Sequence, residues 1–206
     1  MSRSISGGAP AAATESRGAA ARRRRGRLIA LGILAACAAP FLAAVVAYRF
    51  FPPAGRVNYG ELLEAKPLPA ARLARLDGAP FSLAELRGKW VLLQADGADC
   101  GAACRAKLFS MRQARLAQGQ NMDRVERVWL LLDDGVPPAE IARLYDGVAV
   151  VHGGAALSAA LPGADARDRI FLIDPLGLLI LRFPANADPK GIIGDLQRLL
   201  KYSSVG

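Results

Sequence analysis

The stretch LLQADGADCGAACRAKL, Leu92 to Leu108, joins an apolar run to a helical pattern and carries Cys100 and Cys104. The cysteines form a C-x-x-x-C arrangement, which puts both sulfurs on one face if a helix begins near Cys100. A cysteine at a helix N-terminus lies near unpaired N–H groups and the positive end of the helix dipole, and both favour the reactive thiolate. The pair can therefore form a disulfide or hold one soft metal ion such as Cu(I).

The chain around this stretch alternates apolar runs of strand length with segments of helical periodicity. Trp90 to Ala95 is a near-continuous apolar run, typical of a strand that is covered on both faces. Arg124 to Asp134 is predicted to be a second buried strand with a polar exit. Apolar residues at helical spacing predict an amphipathic helix over Ala102 to Gln118. The other predicted elements are a hairpin in Ala71–Lys89, a helix in Pro137–Gly147, a short strand from Val148, a helical turn at Ser158–Leu161, a hairpin in Arg169–Phe183 and a closing helix in Asp188–Tyr202.

This order of elements predicts an α/β fold with a mixed central sheet, which we assign to residues 70–206. A cysteine pair directly after a buried strand refines the prediction to a thioredoxin-like fold. In such sheets the chemistry lies beyond the carboxyl ends of the parallel strands, which is where the cysteine loop falls.

Positive charge is concentrated at the N-terminus. The whole chain has a net charge of +9, and the segment before Leu28 contains seven arginines and one glutamate. The high pI therefore does not indicate nucleic-acid binding by the folded domain. Up to Ala21 the composition is rich in Ala, Gly and Ser without apolar periodicity, so we expect residues 1–27 to be a disordered basic arm in the cytoplasm.

Residues 28–50 are predicted to form a transmembrane helix. The run from Leu28 to Tyr48 has no charged residue, and its roughly 21 residues are enough to cross about 30 Å of hydrocarbon. It also exceeds the core of a cleaved signal peptide, which is about 7–15 residues long. The arginines before it predict a single-pass inner-membrane protein with a cytoplasmic N-terminus. A proline-containing tether over 51–69 would then lead to a periplasmic domain, where thiol pairs can be oxidised.

Cys37 leaves an alternative open within this span. LAAC, Leu34 to Cys37, resembles a lipoprotein signal whose cysteine is lipidated after cleavage. The apolar run continues well past Cys37, whereas a mature lipoprotein usually becomes polar there. We therefore interpret Cys37 as a small apolar residue inside a membrane helix.

Several landmarks follow one another in a familiar order: a membrane anchor, FSLAELRGKWVLLQA, CGAAC, LLLDDGVPPAEIARLY and FLIDPLG. Together they resemble the Sco/SenC family of membrane-anchored, thioredoxin-like proteins that help deliver copper to cytochrome c oxidase. The resemblance covers about Leu76 to Leu200. It implies that the Cys100/Cys104 dithiol assists oxidase assembly by reducing cysteines of the copper-binding subunit, by passing Cu(I) to it, or both.

Two positions depart from that family. Gly101 stands where its members usually have proline, which makes the loop more flexible. The family's copper-binding histidine would fall near Ala166, and the chain's only histidine is His152, at the end of the third strand. His152 could replace the missing ligand, or it could cap a strand or turn. Because two thiolates can hold Cu(I) but a stable Cu(II) site generally needs imidazole as well, the departure favours dithiol chemistry over copper storage.

Thiol–disulfide exchange needs an attacking and a resolving cysteine. By analogy with thioredoxin-like proteins, we assign attack to Cys100 and resolution to Cys104. The alternatives are a general thiol–disulfide oxidoreductase that serves another thiol protein, a non-catalytic assembly factor, and a disulfide that only staples a loop. Asp133 and Asp134 could accept a proton or orient a metal ligand, or they could cap a loop or helix. Asp99 either disfavours the neighbouring thiolate or caps the helix.

Overall fold

The structure is a computed structural model that describes residues 11–50, 58–153, 157–163 and 166–203. The chain divides into two units, Met1–Gly55 and Arg56–Gly206. The first unit contains one long helix, and the second is an α/β domain.

Helix α1 spans Ala11–Phe50 and contains the predicted membrane segment. Within it, Arg25–Ala47 is long and apolar enough to cross a membrane by length and composition. The disorder that we expected over residues 1–27 is not seen from Ala11 onward, because alanine and arginine are strong helix formers and continue the helix toward the N-terminus. Residues 1–10 of the predicted arm lie outside the described residues.

The second unit is built on one mixed sheet. Its strands are β1 Glu61–Pro67, β2 Leu73–Arg75, β3 Pro80–Phe81, β4 Trp90–Asp96, β5 Val125–Leu131, β6 Ala149–His152, β7 Ile170–Ile173 and β8 Leu178–Arg182. The helices are α2 Ala102–Leu116, α3 Ala139–Leu144 and α4 Pro189–Tyr202, and 3-10 turns lie at Leu83–Leu86, Gly119–Arg124 and Ala166–Asp168.

In the described residues the strand order is β1-β8-β7-β4-β5-β6-β2-β3. Strands β4, β5 and β6 are parallel to one another, and the other neighbouring strands pair antiparallel. The predicted α/β fold, thioredoxin-like with a mixed sheet, is therefore confirmed.

Strand β4 lies between β5 and β7, and all seven of its residues are buried. Trp90 and Leu92 pack with apolar side chains of α2 and α4 on one face of the sheet. Val91, Leu93 and Ala95 join the apolar cluster on the opposite face. This alternation is expected for a strand covered on both faces, and it fixes the carboxyl end of β4 as the base of the cysteine loop.

The predicted tether over 51–69 differs from the structure in its second half, where Glu61–Pro67 forms the edge strand β1. Six of its seven residues are exposed, so the strand lacks the apolar alternation by which a sequence reveals a strand. Arg182 on β8 holds it through an ion pair with Glu61 at 2.6 Å. The N–H of Gly60 also donates to Asp195 in α4 at 2.8 Å. The α/β unit thus begins before residue 70, and residues 51–57 lie outside the described residues.

Candidate redox-active cysteine pair

Cys100 and Cys104 form a disulfide at the N-terminal end of α2, and their Cα atoms are 5.1 Å apart. The cap residue Gly101 separates Cys100 from the first residue of the helix, whereas Cys104 lies in the first helical turn. Asp99 is therefore not the N-cap of α2. The structure brings together the two cysteines that the sequence singles out.

Cys100 has a left-handed backbone, with φ of 40°, which is unfavourable for a residue other than glycine. Hydrogen bonds on both sides of the residue hold it there. Its N–H donates to the carbonyl of Gly97 at 3.2 Å, and its own carbonyl accepts from Arg105 Nε at 3.0 Å. The loop before α2 is thus fixed by its neighbours in a conformation that the cysteine alone would rarely adopt.

The disulfide is enclosed by protein. The exposed fraction is 0% for Cys100 and 1% for Cys104. Apolar side chains from β5, α2 and the α3 region surround it: Ala98, Leu108, Trp129, Leu131, Ile141 and Tyr145. The Tyr145 hydroxyl donates to the carbonyl of Arg105 at 3.1 Å and so ties the end of α3 to α2. A partner thiolate reaches either sulfur only after part of this cover moves, because exchange requires direct attack on sulfur.

Gln94 on β4 contacts the pair from inside the fold. Its exposed fraction is 0%, and its Nε2 lies 3.7 Å from Cys104 Sγ. Its Oε1 is buried and has no hydrogen-bond partner among the described residues. Our sequence interpretation did not include Gln94 in the site, although a single amide inside the apolar run WVLLQA was a signal for it.

An ion cluster with a buried carboxylate, Asp96, lies at the same end of β4. The Asp96 carboxylate accepts from Lys107 Nζ at 3.0 Å and from Arg167 Nε at 2.8 Å. Lys107 is also buried and donates to the carbonyl of Arg167. The hydrogen bond that Arg167 donates to Asp96, followed by the negative charge of Asp96, raises the pKa of Arg167 above its ordinary value, and the charges of Asp99 and Asp133 add to that effect. The cluster joins β4, α2 and the 166–168 turn beside the cysteine loop.

Asp133, just after β5, anchors that loop. Its two carboxylate oxygens lie 3.1 and 3.2 Å from the backbone nitrogen of Ala98, whose N–H donates to them. It also accepts from the N–H of Gly135 at 3.0 Å. A Cβ at Gly97 would lie 2.7 Å from Asp133 Oδ2, so the approach requires glycine or a shift of the carboxylate. Asp133 therefore has a positioning role that fits a loop cap, although it is exposed like its neighbour Asp134.

His152 is the last residue of β6, is half-buried, and pairs with Ala74 of β2 in the sheet. The described residues contain no group of three His, Cys, Asp or Glu side chains that could hold a metal ion, so His152 does not complete a site with the cysteines in this structure. At the position expected for the family histidine, Ala166 packs against an apolar cluster and Arg167 reaches Asp96. A guanidinium has no lone pair to offer a metal ion.

A cysteine pair at the start of the helix that follows the central strand of a thioredoxin-like sheet defines the class of this domain. A family model described as the transmembrane-like, thioredoxin-like, C-terminal domain matches residues 90–203. The chain belongs to that family. No curated protein matches the chain.

Solved structures of Sco proteins have the same fold. Apo Sco1 from Thermus thermophilus is 22% identical, with a TM-score of 0.57 over 71% of this chain and 99% of that one. Yeast Sco1 with copper bound is 14% identical, with a TM-score of 0.56 over 68% of this chain and 96% of that one. The thioredoxin domain of a thiol–disulfide oxidoreductase from Bacteroides vulgatus is 16% identical, with a TM-score of 0.51 over 68% of this chain and 99% of that one. At these identities the likeness establishes the fold, and at that level it confirms the predicted resemblance to Sco proteins.

Proposed function

We propose that this chain is a membrane-anchored thiol–disulfide exchange protein that acts through Cys100 and Cys104. The observation that carries the proposal is their disulfide at the start of α2, directly beyond the carboxyl end of β4. The helix N-terminus favours the thiolate that exchange requires. The apolar segment Arg25–Ala47 supports the membrane anchor by its length and composition.

In the reducing direction, the Cys100 thiolate attacks a disulfide of the partner, forms a mixed disulfide and releases one partner thiolate. The Cys104 thiolate then attacks Cys100 Sγ, releases the second partner thiolate and closes the intramolecular disulfide. Two electrons pass to the partner, and the reverse sequence oxidises a partner dithiol. The assignment of attack to Cys100 rests on the analogy with thioredoxin-like proteins, in which the cysteine nearer the helix start attacks. Burial does not distinguish the two sulfurs, because both cysteines are enclosed.

We propose the copper-binding subunit of cytochrome c oxidase as the partner and the periplasmic side of the inner membrane as the location. The landmarks shared with the Sco/SenC family and the common fold support the partner. The arginines before α1's apolar segment support a cytoplasmic N-terminus, and an oxidisable cysteine pair suits the compartment outside the cytoplasm. A general oxidoreductase acting on another thiol protein would use the same pair and is separated from this proposal by its partner.

Transfer of Cu(I) as cargo is a second candidate function. The reduced pair would present two soft thiolate ligands, one from the loop before α2 and one from its first turn, and soft ligands select Cu(I). The position of Arg167 disfavours a third, imidazole-type donor at the site expected from the Sco/SenC family. Transfer of Cu(I) is therefore the secondary proposal, and it depends on whether the reduced cysteine pair binds copper without a third ligand.

The exchange proposal is tested with the full chain in detergent and a model substrate peptide that contains one internal disulfide. The reduced wild type is expected to reduce the peptide, Cys100→Ser to be inactive, and Cys104→Ser to accumulate the mixed disulfide. All variants carry Cys37→Ser, because Cys37 is a free, exposed thiol. The proposal fails if Cys100→Ser and Cys104→Ser both reduce the peptide as fast as the parent protein.

The partner and the cargo need separate measurements. Replacing the wild-type gene by Cys100→Ser should lower cytochrome c oxidase activity in cells if the oxidase subunit is the partner, and unchanged activity would leave a general oxidoreductase. For the cargo, the reduced chain is titrated anaerobically with Cu(I) against the Cys100→Ser/Cys104→Ser variant. Binding no tighter than that of the double variant excludes copper transfer by this pair.

A further inference from the structure

Gln94 is a buried amide placed against a redox-active sulfur. Side chains alternate along β4, so Gln94 lies on the same face as Trp90 and Leu92, the face covered by α2. The amide therefore meets the first turn of α2, where its Nε2 lies 3.7 Å from Cys104 Sγ.

The Gln94 amide uses only part of its hydrogen-bonding capacity at this position. Gln94 is fully buried, and its Oε1 has no hydrogen-bond partner among the described residues. An apolar side chain of similar size would avoid that penalty in a strand whose neighbours at Leu92 and Leu93 are apolar. The amide nitrogen of Gln94 contacts Cys104 Sγ, and an aliphatic side chain could not make that polar contact.

We propose that Gln94 is a positioning residue that stabilises Cys104 as a thiolate whenever the disulfide is opened. The inference rests on the proposed function, because it assigns a role in dithiol exchange. When a partner thiolate bonds to Cys100 Sγ, the S–S bond breaks and its electron pair moves to Cys104 Sγ. The Gln94 N–H donates to that anionic sulfur, so the leaving group is stabilised before any proton arrives.

The charged groups around the cysteine pair come from several elements. Asp96, Lys107 and Arg167 are joined to one another in the ion cluster. Arg105 donates to the carbonyl of Cys100, Asp133 accepts from the N–H of Ala98, and Asp99 directly precedes Cys100. The titratable side chain of Tyr145 also packs around the pair. The Asp96 carboxylate is paired with two cations. Within the described part of the chain, the neutral Gln94 amide is the group seen in hydrogen-bonding contact with Cys104 Sγ.

The test uses the full chain in detergent with Cys37→Ser as the parent. Gln94→Leu keeps the approximate volume of the side chain and removes the donor. In a Cys100→Ser background, the pH midpoint for alkylation of Cys104 by iodoacetamide reports the thiolate directly. In the intact pair, equilibration with glutathione reports the balance between dithiol and disulfide.

We expect Gln94→Leu to raise the alkylation midpoint by about one pH unit, which is a tenfold change in the thiolate equilibrium. The glutathione equilibrium should move several-fold toward the disulfide, because the reduced form loses its stabilising donor. Gln118→Leu is the matched control: Gln118 is also buried, and its Nε2 donates to the carbonyl of Ala114 at 2.7 Å, away from the cysteines. This control should leave both readouts unchanged even if it lowers stability.

The inference is overturned if Gln94→Leu and Gln118→Leu give the same alkylation midpoint. Gln94→Met provides a second variant without a donor if Gln94→Leu does not fold, as judged by tryptophan fluorescence. Failure of the proposed function looks different, because the parent protein would then not exchange with the peptide disulfide. In that case the alkylation midpoint would still decide whether Gln94 acts on Cys104.

Discussion

The two halves of strand β4 are equally buried and chemically different. Trp90–Leu93 is apolar, whereas Gln94–Asp96 contains an amide and a carboxylate. The apolar half contributes to the core on both faces of the sheet. The polar half contacts the cysteine pair and the ion cluster. Burial alone therefore does not distinguish core residues from site residues in this strand. The contacts of each buried side chain distinguish them.

The two polar side chains of β4 also differ from each other. Asp96 has two cationic partners and a backbone N–H, so its charge is compensated. Gln94 makes one contact through its nitrogen and leaves its oxygen without a partner in the described residues. We expect mutations at Asp96 to act mainly on stability and mutations at Gln94 to act mainly on the chemistry of Cys104.

The largest effect on stability is expected for Asp96→Ala. The substitution leaves Lys107 buried without its carboxylate and should lower the free energy of unfolding by roughly 3–5 kcal/mol. Urea unfolding of the full chain in detergent, followed by tryptophan fluorescence, measures this loss. Both tryptophans, Trp90 and Trp129, lie in buried strands of the α/β unit, so the signal reports on that unit.

The Asp96→Leu/Lys107→Met double variant is the control for that experiment. Because it removes both buried charges, it should be more stable than Asp96→Ala. A loss below about 1 kcal/mol for Asp96→Ala would show that Lys107 is not kept buried by its charge partner.

Leu92→Ala probes the apolar half of the strand. Leu92 is fully buried among side chains of α2 and α4, so the cavity should lower the free energy of unfolding by about 2–5 kcal/mol. The glutathione equilibrium of the cysteine pair, measured under conditions where the domain is folded, should not change. A shift as large as that expected for Gln94→Leu would contradict the division of β4 into core and site.

The sequence predicts the apolar half of β4 better than the polar half. The apolar run Trp90 to Ala95 predicts a buried strand, which the structure extends to Asp96, and the C-x-x-x-C spacing correctly predicts that Cys100 and Cys104 can meet. The partners of Asp96 could not be predicted in this way. Lys107 lies in the next helix, 11 residues along the chain from Asp96, and Arg167 lies 71 residues away. Only the folded domain brings the three side chains together.

The edge strand β1 also could not be predicted from the sequence. Strand β1 lacks apolar alternation, because it is held by Arg182 and by its backbone pairing with β8 and not by a buried face. The residues that cover the disulfide could not be predicted from the sequence either. Ile141 and Tyr145 belong to the α3 region, which is distant from the cysteines in the chain and packs against them only in the folded domain. The sequence thus predicts elements with a local pattern, and tertiary partners determine the rest.

Asp133→Ala tests how firmly the loop after β4 is held. The substitution removes a charged acceptor from the N–H groups of Ala98 and Gly135 and should lower the free energy of unfolding by about 1.5 kcal/mol. The local effect should be clearer, with faster hydrogen exchange at the N–H of Ala98. Asp134→Ala, a change at the exposed neighbouring carboxylate, is the matched control and should leave that exchange rate unchanged. Equal exchange rates in both variants would mean that Asp133 does not anchor the loop.

Arg167→Gln should have the smallest effect on stability, although Arg167 binds the same carboxylate as Lys107. Its side chain is 58% exposed, and water screens its ion pair, so the loss should be below about 1 kcal/mol. Because the pKa of Arg167 is raised in the folded state, its contribution is fully present below the ordinary pKa of arginine and is lost only as the pH rises through the raised pKa. The difference in unfolding free energy between wild type and Arg167→Gln should therefore be constant from about pH 6 to pH 9. A loss as large as that of Asp96→Ala would mean that the exposed cation, and not Lys107, compensates the buried carboxylate of β4.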